Sequence, residues 1–136
     1  MEGLSVGELA RRAGVNLQTI HYYERRALLP KPPRTASNYR VYPRDAVRRV
    51  RFIKHAQELG FMLEEIKELI SLRATPRACC NDVRERAERK AKQIDDKIRS
   101  LKAMRKALAA LIAECSSGED SVSECPILEA LDAEDA

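Results

Sequence analysis

At 136 residues the chain has room for one domain, or one small domain with an appendage, and its 4% aromatic and 34% charged residues allow only a modest core. It has no apolar run long enough to span a bilayer, and the opening MEGLSVGEL lacks the basic and apolar regions of a signal peptide, so a cytoplasmic protein with no membrane partner is expected. Charge is divided: residues 1–73 hold 14 Lys/Arg against 8 Asp/Glu, residues 74–136 hold 11 against 13, and a basic front half suits a polyanion.

Ser5 and Glu8 have capping-box spacing, which predicts a short helix to about Ala13 with Val6, Leu9 and Ala10 on one face. Gly14 can take the left-handed conformation that ends it. Asn16 is a good N-cap for a second helix, Leu17 to about Arg26. Two short helices joined by a tight turn make a helix-turn-helix. With Val15 and Ile20 packed inward, Gln18, Thr19, His21, Tyr22 and Arg25 remain for groove edges and phosphates. Pro30, Pro32 and Pro33 forbid further helix. Residues 35–42, TASNYRVY, read as a tight β-hairpin turning at Ser37-Asn38, and a basic hairpin after a helix-turn-helix is a wing.

A third helix opens at Pro43 and Asp45, repeats Val47, Val50, Ile53 and Leu59 at helical spacing, and stops at Gly60; its other face carries Arg44, Arg48, Arg49, Arg51 and Lys54. Residues 62–72 form a fourth, amphipathic helix, broken at Ala74-Thr75-Pro76. From about Asn81 to Glu114 there is neither Gly nor Pro. With Cys80 at heptad position a, Ala87, Ile94, Leu101, Leu108 and Cys115 follow at a, and Val83, Lys90, Lys97, Met104 and Leu111 at d, an apolar seam flawed by two lysines. So polar a helix would not stand alone, and it reads as half of a coiled coil.

The four cysteines are Cys79, Cys80, Cys115 and Cys125. In a reducing compartment thiols serve more often as metal ligands or redox groups than as structural disulfides. Cys80 and Cys115 stand five heptads apart on one seam, about 52 Å along one helix, and cannot share a site within a chain. A parallel dimer would set Cys80 against its own symmetry mate. An antiparallel dimer brings the Cys80 end of one helix to the Cys115 end of the other, and the loop after Cys115 can return Cys125 alongside, giving two identical sites. Three thiolates favour Hg(II), Cd(II), Pb(II) or Zn(II) over hard cations. Cys79 is the candidate for a fourth ligand, and Glu119 and Asp120 are candidate oxygen donors. Neither His21 nor His55 is near this end of the sequence.

The stretch GELARRAGVNLQTIHYYERRALLPKPPRTASNYRVY, followed by RFIKHAQELGFMLEEIKELI, resembles the N-terminal domain of MerR-type transcription regulators. Tyr22-Tyr23-Glu24-Arg25, Tyr39-Arg40-Val41-Tyr42 and Leu59-Gly60-Phe61 are its most specific parts. The resemblance places the recognition helix on residues 17–25 and the wing on 35–42, and implies Gln18, Thr19, His21, Tyr22, Tyr23, Arg25, Tyr39, Arg40 and Lys54 as DNA contacts. His21 stands where arginine is usual, so a weaker or pH-dependent contact is expected; Ala27 replaces a usual turn glycine, which is expected to alter local geometry. The C-terminal part resembles the heavy-metal branch, whose three thiols fall on Cys80, Cys115 and Cys125. Copper sensors of the family lack a cysteine at the Cys80 position, and its iron–sulfur members carry a four-cysteine cluster absent here. The trio is that of mercury regulators. Zinc, cadmium and lead sensors use a similar set, and the loop length is closer to the zinc type, although Ser116 and Asp120 replace that type's extra Cys and His.

The expectation is a mainly α chain: a winged helix-turn-helix domain over 1–74, a linker and antiparallel coiled-coil dimerisation helix over 75–114, and a metal-binding loop and C-terminal segment over 115–136. The implied function is a homodimeric regulator that binds double-stranded promoter DNA and, on binding Hg(II), distorts it so that bacterial RNA polymerase can use it; the alternatives are the same device sensing Zn(II), Cd(II) or Pb(II). Two other classes compete. An enzyme is disfavoured because there is no C-x-x-C, no His beside a thiol in sequence and no Gly-rich phosphate loop. A metal-stapled coiled coil that binds a protein partner leaves the arginines of the wing unexplained.

Overall fold

The computed structural model describes residues 3–115, 118, 119 and 121–134. Its helices are α1 (Val6–Ala13), α2 (Leu17–Arg25), α3 (Asp45–Glu58), α4 (Leu63–Arg73), α5 (Cys80–Glu114) and α6 (Pro126–Leu131), with a 3-10 turn at Val122–Glu124. Among the described residues there is no β-strand, and no helix is long and apolar enough to cross a membrane. The chain forms two compact units, residues 1–90 and 91–136.

In the first unit the expected local signals operate. Ser5 accepts from the Glu8 N–H while the Glu8 carboxylate accepts from the Ser5 N–H, so both halves of the capping box form. That pairing holds the Glu8 carboxyl below the usual carboxylate range. Asn16 Oδ1 caps α2 by accepting from the Thr19 N–H at 2.8 Å. At the start of α4 only the carboxylate half of a box exists, Glu65 accepting from the Met62 N–H.

Three helices end alike. After α1, α2 and α3 the chain turns left-handed at Gly14 (φ 74°), Ala27 (φ 59°) and Gly60 (φ 93°). In each case the next residue's N–H reaches back to the helix, Val15 to Ala10 O, Leu28 to Tyr23 O and Phe61 to Ala56 O. These are Schellman ends, which favour glycine because a Cβ crowds the left-handed conformation. Ala27 therefore keeps the turn geometry that glycine would give and carries the strain instead.

α1 packs on α2 and α3, and α4 on α3, around Leu9, Ile20, Val50, Ile53 and Ile66, all fully buried. Leu59, expected on the same α3 stripe, is 66% exposed because α3 stops at Glu58 and the Schellman turn rotates Leu59 outward. The wing is shorter than a hairpin ladder. Single antiparallel bridges join Arg34 to Arg40 and Leu4 to Tyr42, and Asn38 turns the chain at φ 68°. Prolines 30, 32 and 33 offer no N–H donors, so the first arm cannot extend the ladder.

The first turns of α5 are anchored on α4. Arg86 pairs with Glu68, and Lys90 Nζ donates to Glu65 Oε1 at 2.7 Å while standing 5.6 Å from the centre of the Phe61 ring. Lys90 is thus no flaw in a dimer seam: it is buried within its own unit. In the second unit no described residue is buried. Ile94, Ile98, Leu101, Met104, Leu108 and Ile112 line α5 with 39–63% of their surface exposed.

Candidate nucleic-acid interface and thiol centre

α2 sorts its residues by face. Ile20, Tyr23 and Glu24 point to the core, and Gln18, Tyr22 and Arg25 outward. The Arg25 guanidinium lies 5.9 Å from the Tyr22 ring centre, so the two present a shared cationic and aromatic surface. Thr19 is half-buried, and its hydroxyl donates to Asn16 Oδ1 at 2.9 Å as part of the cap. Tyr39 is 73% exposed on the wing.

Tyr23, expected among the DNA contacts, is a core residue: its ring is buried and its hydroxyl donates to Gln57 Oε1 at 2.7 Å. Its spacing of three from Ile20 carried that signal. Burial pushes the Tyr23 phenol up, so it remains a donor at neutral pH.

Lys54 and its neighbours on α3 serve the fold directly. Lys54 Nζ donates to Gly14 O at 3.1 Å, Arg51 Nη2 to Arg12 O at 3.0 Å, and Arg49 Nε to Leu28 O at 3.1 Å. Each satisfies a carbonyl at or just beyond a helix end, where the helix leaves acceptors without partners. A Cβ at Gly14 would meet Lys54 Nζ at 3.2 Å, which a small shift of the lysine tip relieves, so it is the left-handed turn that favours glycine there.

The joint between α2 and the wing is a buried carboxylate that the sequence reading did not single out. Glu24 Oε1 accepts from Arg40 Nη1 at 2.6 Å, and Oε2 accepts from the Tyr42 hydroxyl at 2.8 Å. His21 Nδ1 stands 3.4 Å from Glu24 Oε1 and 3.3 Å from Arg40 Nη1. Burial, then the bond to Glu24, pushes the Tyr42 phenol up and keeps its proton in place. A carboxylate on the Ile20–Tyr23 stripe was the available signal, since buried charges need partners.

All four thiols are free. Cys79 and Cys80 are exposed at the start of α5, where they line an apolar groove with Phe52, Leu69, Leu72 and Val83. The Cys79 N–H donates to the Asp82 carboxylate at 2.8 Å. Cys115 is exposed immediately after α5, and Cys125 is half-buried immediately before α6, whose first residue is Pro126. Among the described residues no three His, Cys, Asp or Glu side chains are grouped to hold a metal ion. Asp120 and Ser116 lie outside the described residues. Thiolate sulfur is a soft donor and fits a soft ion by its chemistry.

The chain is similar to known proteins over most of its length. Residues 4–72 match the MerR HTH family regulatory protein model, and residues 47–111 match the model described as MerR, DNA binding. The mercuric resistance operon regulatory protein of Bacillus cereus is 43% identical over 126 residues, 93% of this chain and 95% of that protein. The regulator MerR of Bacillus megaterium MB1, solved with mercury(II), is 38% identical with a TM-score of 0.72, covering 96% of this chain and 100% of that one. The regulator PbrR691 of Ralstonia metallidurans CH34, solved with lead(II), is 32% identical with a TM-score of 0.82, covering 94% and 98%. Over nearly its full length, then, this chain belongs to the MerR family of helix-turn-helix transcription regulators.

Proposed function

We propose that the protein is a heavy-metal-sensing regulator, working as a homodimer on promoter DNA, with Hg(II) as its signal. The observation that carries this reading is a free thiol at each end of one 35-residue helix whose apolar stripe is exposed, Cys80 as its first residue and Cys115 just after its last. The likeness to mercuric resistance regulators supports the choice of ion. The lead(II) complex of PbrR691 supports a second reading, in which Pb(II), Cd(II) or Zn(II) is the signal.

In this account α2 and the wing meet the DNA, with Gln18, His21, Tyr22, Arg25, Tyr39 and Arg40 as its contacts, and Thr19 and Lys54 at its margin. Two antiparallel α5 helices bring Cys80 of one subunit to Cys115 and Cys125 of the other. The bound ion supplies a bond between thiolates of two subunits. The thiols give up protons on ligation, so binding releases acid. Cys79 flanks the trio without being required for Hg(II). The bound form favours the DNA-distorting conformation by differential affinity, and the sequence-dependent cost of deforming the promoter is what that affinity offsets. The distorted promoter is then usable by RNA polymerase.

A promoter-reporter titration with Hg(II), Cd(II), Pb(II), Zn(II) and Cu(I) tests the assignment. Induction at the lowest concentration by Hg(II), retained in Cys79→Ser, is the expected result. A response to Zn(II) or Pb(II) at lower concentrations, or one that needs Cys79, selects the second reading. No response to any of the five contradicts metal sensing.

A further inference from the structure

We propose that Glu24 is a positioning residue for DNA binding: it fixes Arg40 of the wing against the recognition helix, so that the two elements meet DNA as one rigid surface. This rests on the regulator reading above. Glu24 is the only buried carboxylate among the described residues, with 4% of its side chain exposed, and its partners come from two segments. Tyr42 and Arg40 lie on the second arm of the wing, 18 and 16 residues away, and bind one carboxylate oxygen each. His21, from the turn of α2 before Glu24, completes the cluster. The wing's own bonds, Thr35 N–H to Tyr39 O at 2.7 Å and Val41 N–H to Pro33 O at 3.1 Å, hold its two arms to each other but do not tie them to α2. Arg40 has five N–H donors, and its bond to Glu24 leaves others for a phosphate.

The sign of one substitution separates positioning from simple charge. Glu24→Gln keeps the volume and an acceptor oxygen but removes a negative charge from a DNA-facing region. By long-range electrostatics alone it should tighten DNA binding. If Glu24 holds the wing, binding should weaken instead, by about ten-fold or more, the scale of a lost hydrogen bond between charged groups.

The experiment measures Glu24→Gln, Arg40→Ala and the double variant on a duplex carrying a mercuric resistance operon promoter, across several salt concentrations. Amide hydrogen exchange of the wing is followed without DNA. The proposal expects faster exchange at Thr35, Val41 and Tyr42 in Glu24→Gln, weaker binding, and a salt slope lowered by about one, as for Arg40→Ala. In the double variant the Arg40 substitution should add little. Unchanged wing exchange, unchanged or tighter binding by Glu24→Gln, or additive losses in the double variant would each overturn it. A wild type that fails to bind the duplex at any salt concentration contradicts the regulator reading, and the exchange result then decides the wing lock alone.

Discussion

The two units of the chain treat their apolar residues in opposite ways. In residues 1–90, Leu9, Ile20, Val50, Ile53 and Ile66 have no exposed surface, and among the described residues no buried side-chain N or O lacks a hydrogen-bond partner. In residues 91–136, Leu101, Met104, Leu108 and Ile112 each leave more than half their surface exposed. The first unit has a buried core of its own. The second carries a stripe that a lone helix has no way to bury, and a charged helix of this kind gains its stability from packing on a partner.

The strongest way to break this comparison is to charge the stripe. Leu108→Glu should leave the melting of the first unit unchanged and convert the protein to monomers in sedimentation at micromolar concentration. A buried unpaired charge costs about 3–5 kcal/mol, more than a hundred-fold in dimer affinity, and DNA binding should fall with it. A wild type that sediments as a monomer would remove the dimer from the account.

A smaller effect sharpens the boundary of the self-sufficient unit. Lys90→Met should remove the bond to Glu65, costing about 1.5 kcal/mol in denaturant unfolding. The substitution should also flatten part of the acid dependence. The hydrogen bond from Lys90, then that from the Met62 N–H, holds the Glu65 carboxyl below the usual carboxylate range. A carboxyl depressed on folding contributes stability above its unfolded pKa, about 4.3, and that contribution is lost as pH falls through the lower folded value. Melts between pH 3 and 7 should therefore show a shallower acid limb for Lys90→Met than for wild type. Equal limbs would mean that Lys90 does not govern Glu65.

The smallest expected change is a gain. Ala27→Gly relieves a left-handed alanine and should stabilise the first unit by about 1 kcal/mol, with DNA affinity unchanged, in thermal melts. No gain would mean that the turn carries no strain.

What could be read in the sequence follows from how local its cause is. Ser5 with Glu8, Asn16, Gly14 and Gly60 act within one helical turn, and their helices start and stop within a residue or two of the expected positions. Leu59 lies off the expected stripe because helical spacing alone does not say where a helix stops, and Tyr23, implied as a DNA contact by the resemblance, turns inward with Ile20 three residues before it. Charge alone does not reveal that Lys54, implied as a DNA contact by the resemblance, and its neighbours Arg49 and Arg51 reach carbonyls 21 to 40 residues away. Lys90 looked like a seam defect because a heptad pattern carries no information about Glu65 and Phe61 across the unit. Glu24 was legible in principle, as a charge on an apolar stripe, but its partners on the wing were not. The thiols are the extreme case, since their proposed meeting requires a second chain.

That meeting is tested most directly by mixing defects. Homodimers of Cys80→Ser and of Cys115→Ser should each fail to bind Hg(II) at the three-thiolate site. Heterodimers of the two should recover one site of the wild-type pair, because one site collects both substitutions and the other collects neither. Recovery of about half the wild-type stoichiometry, with dimer formation verified, is the predicted result. Heterodimers that bind no more metal than their parents would contradict a site shared between subunits.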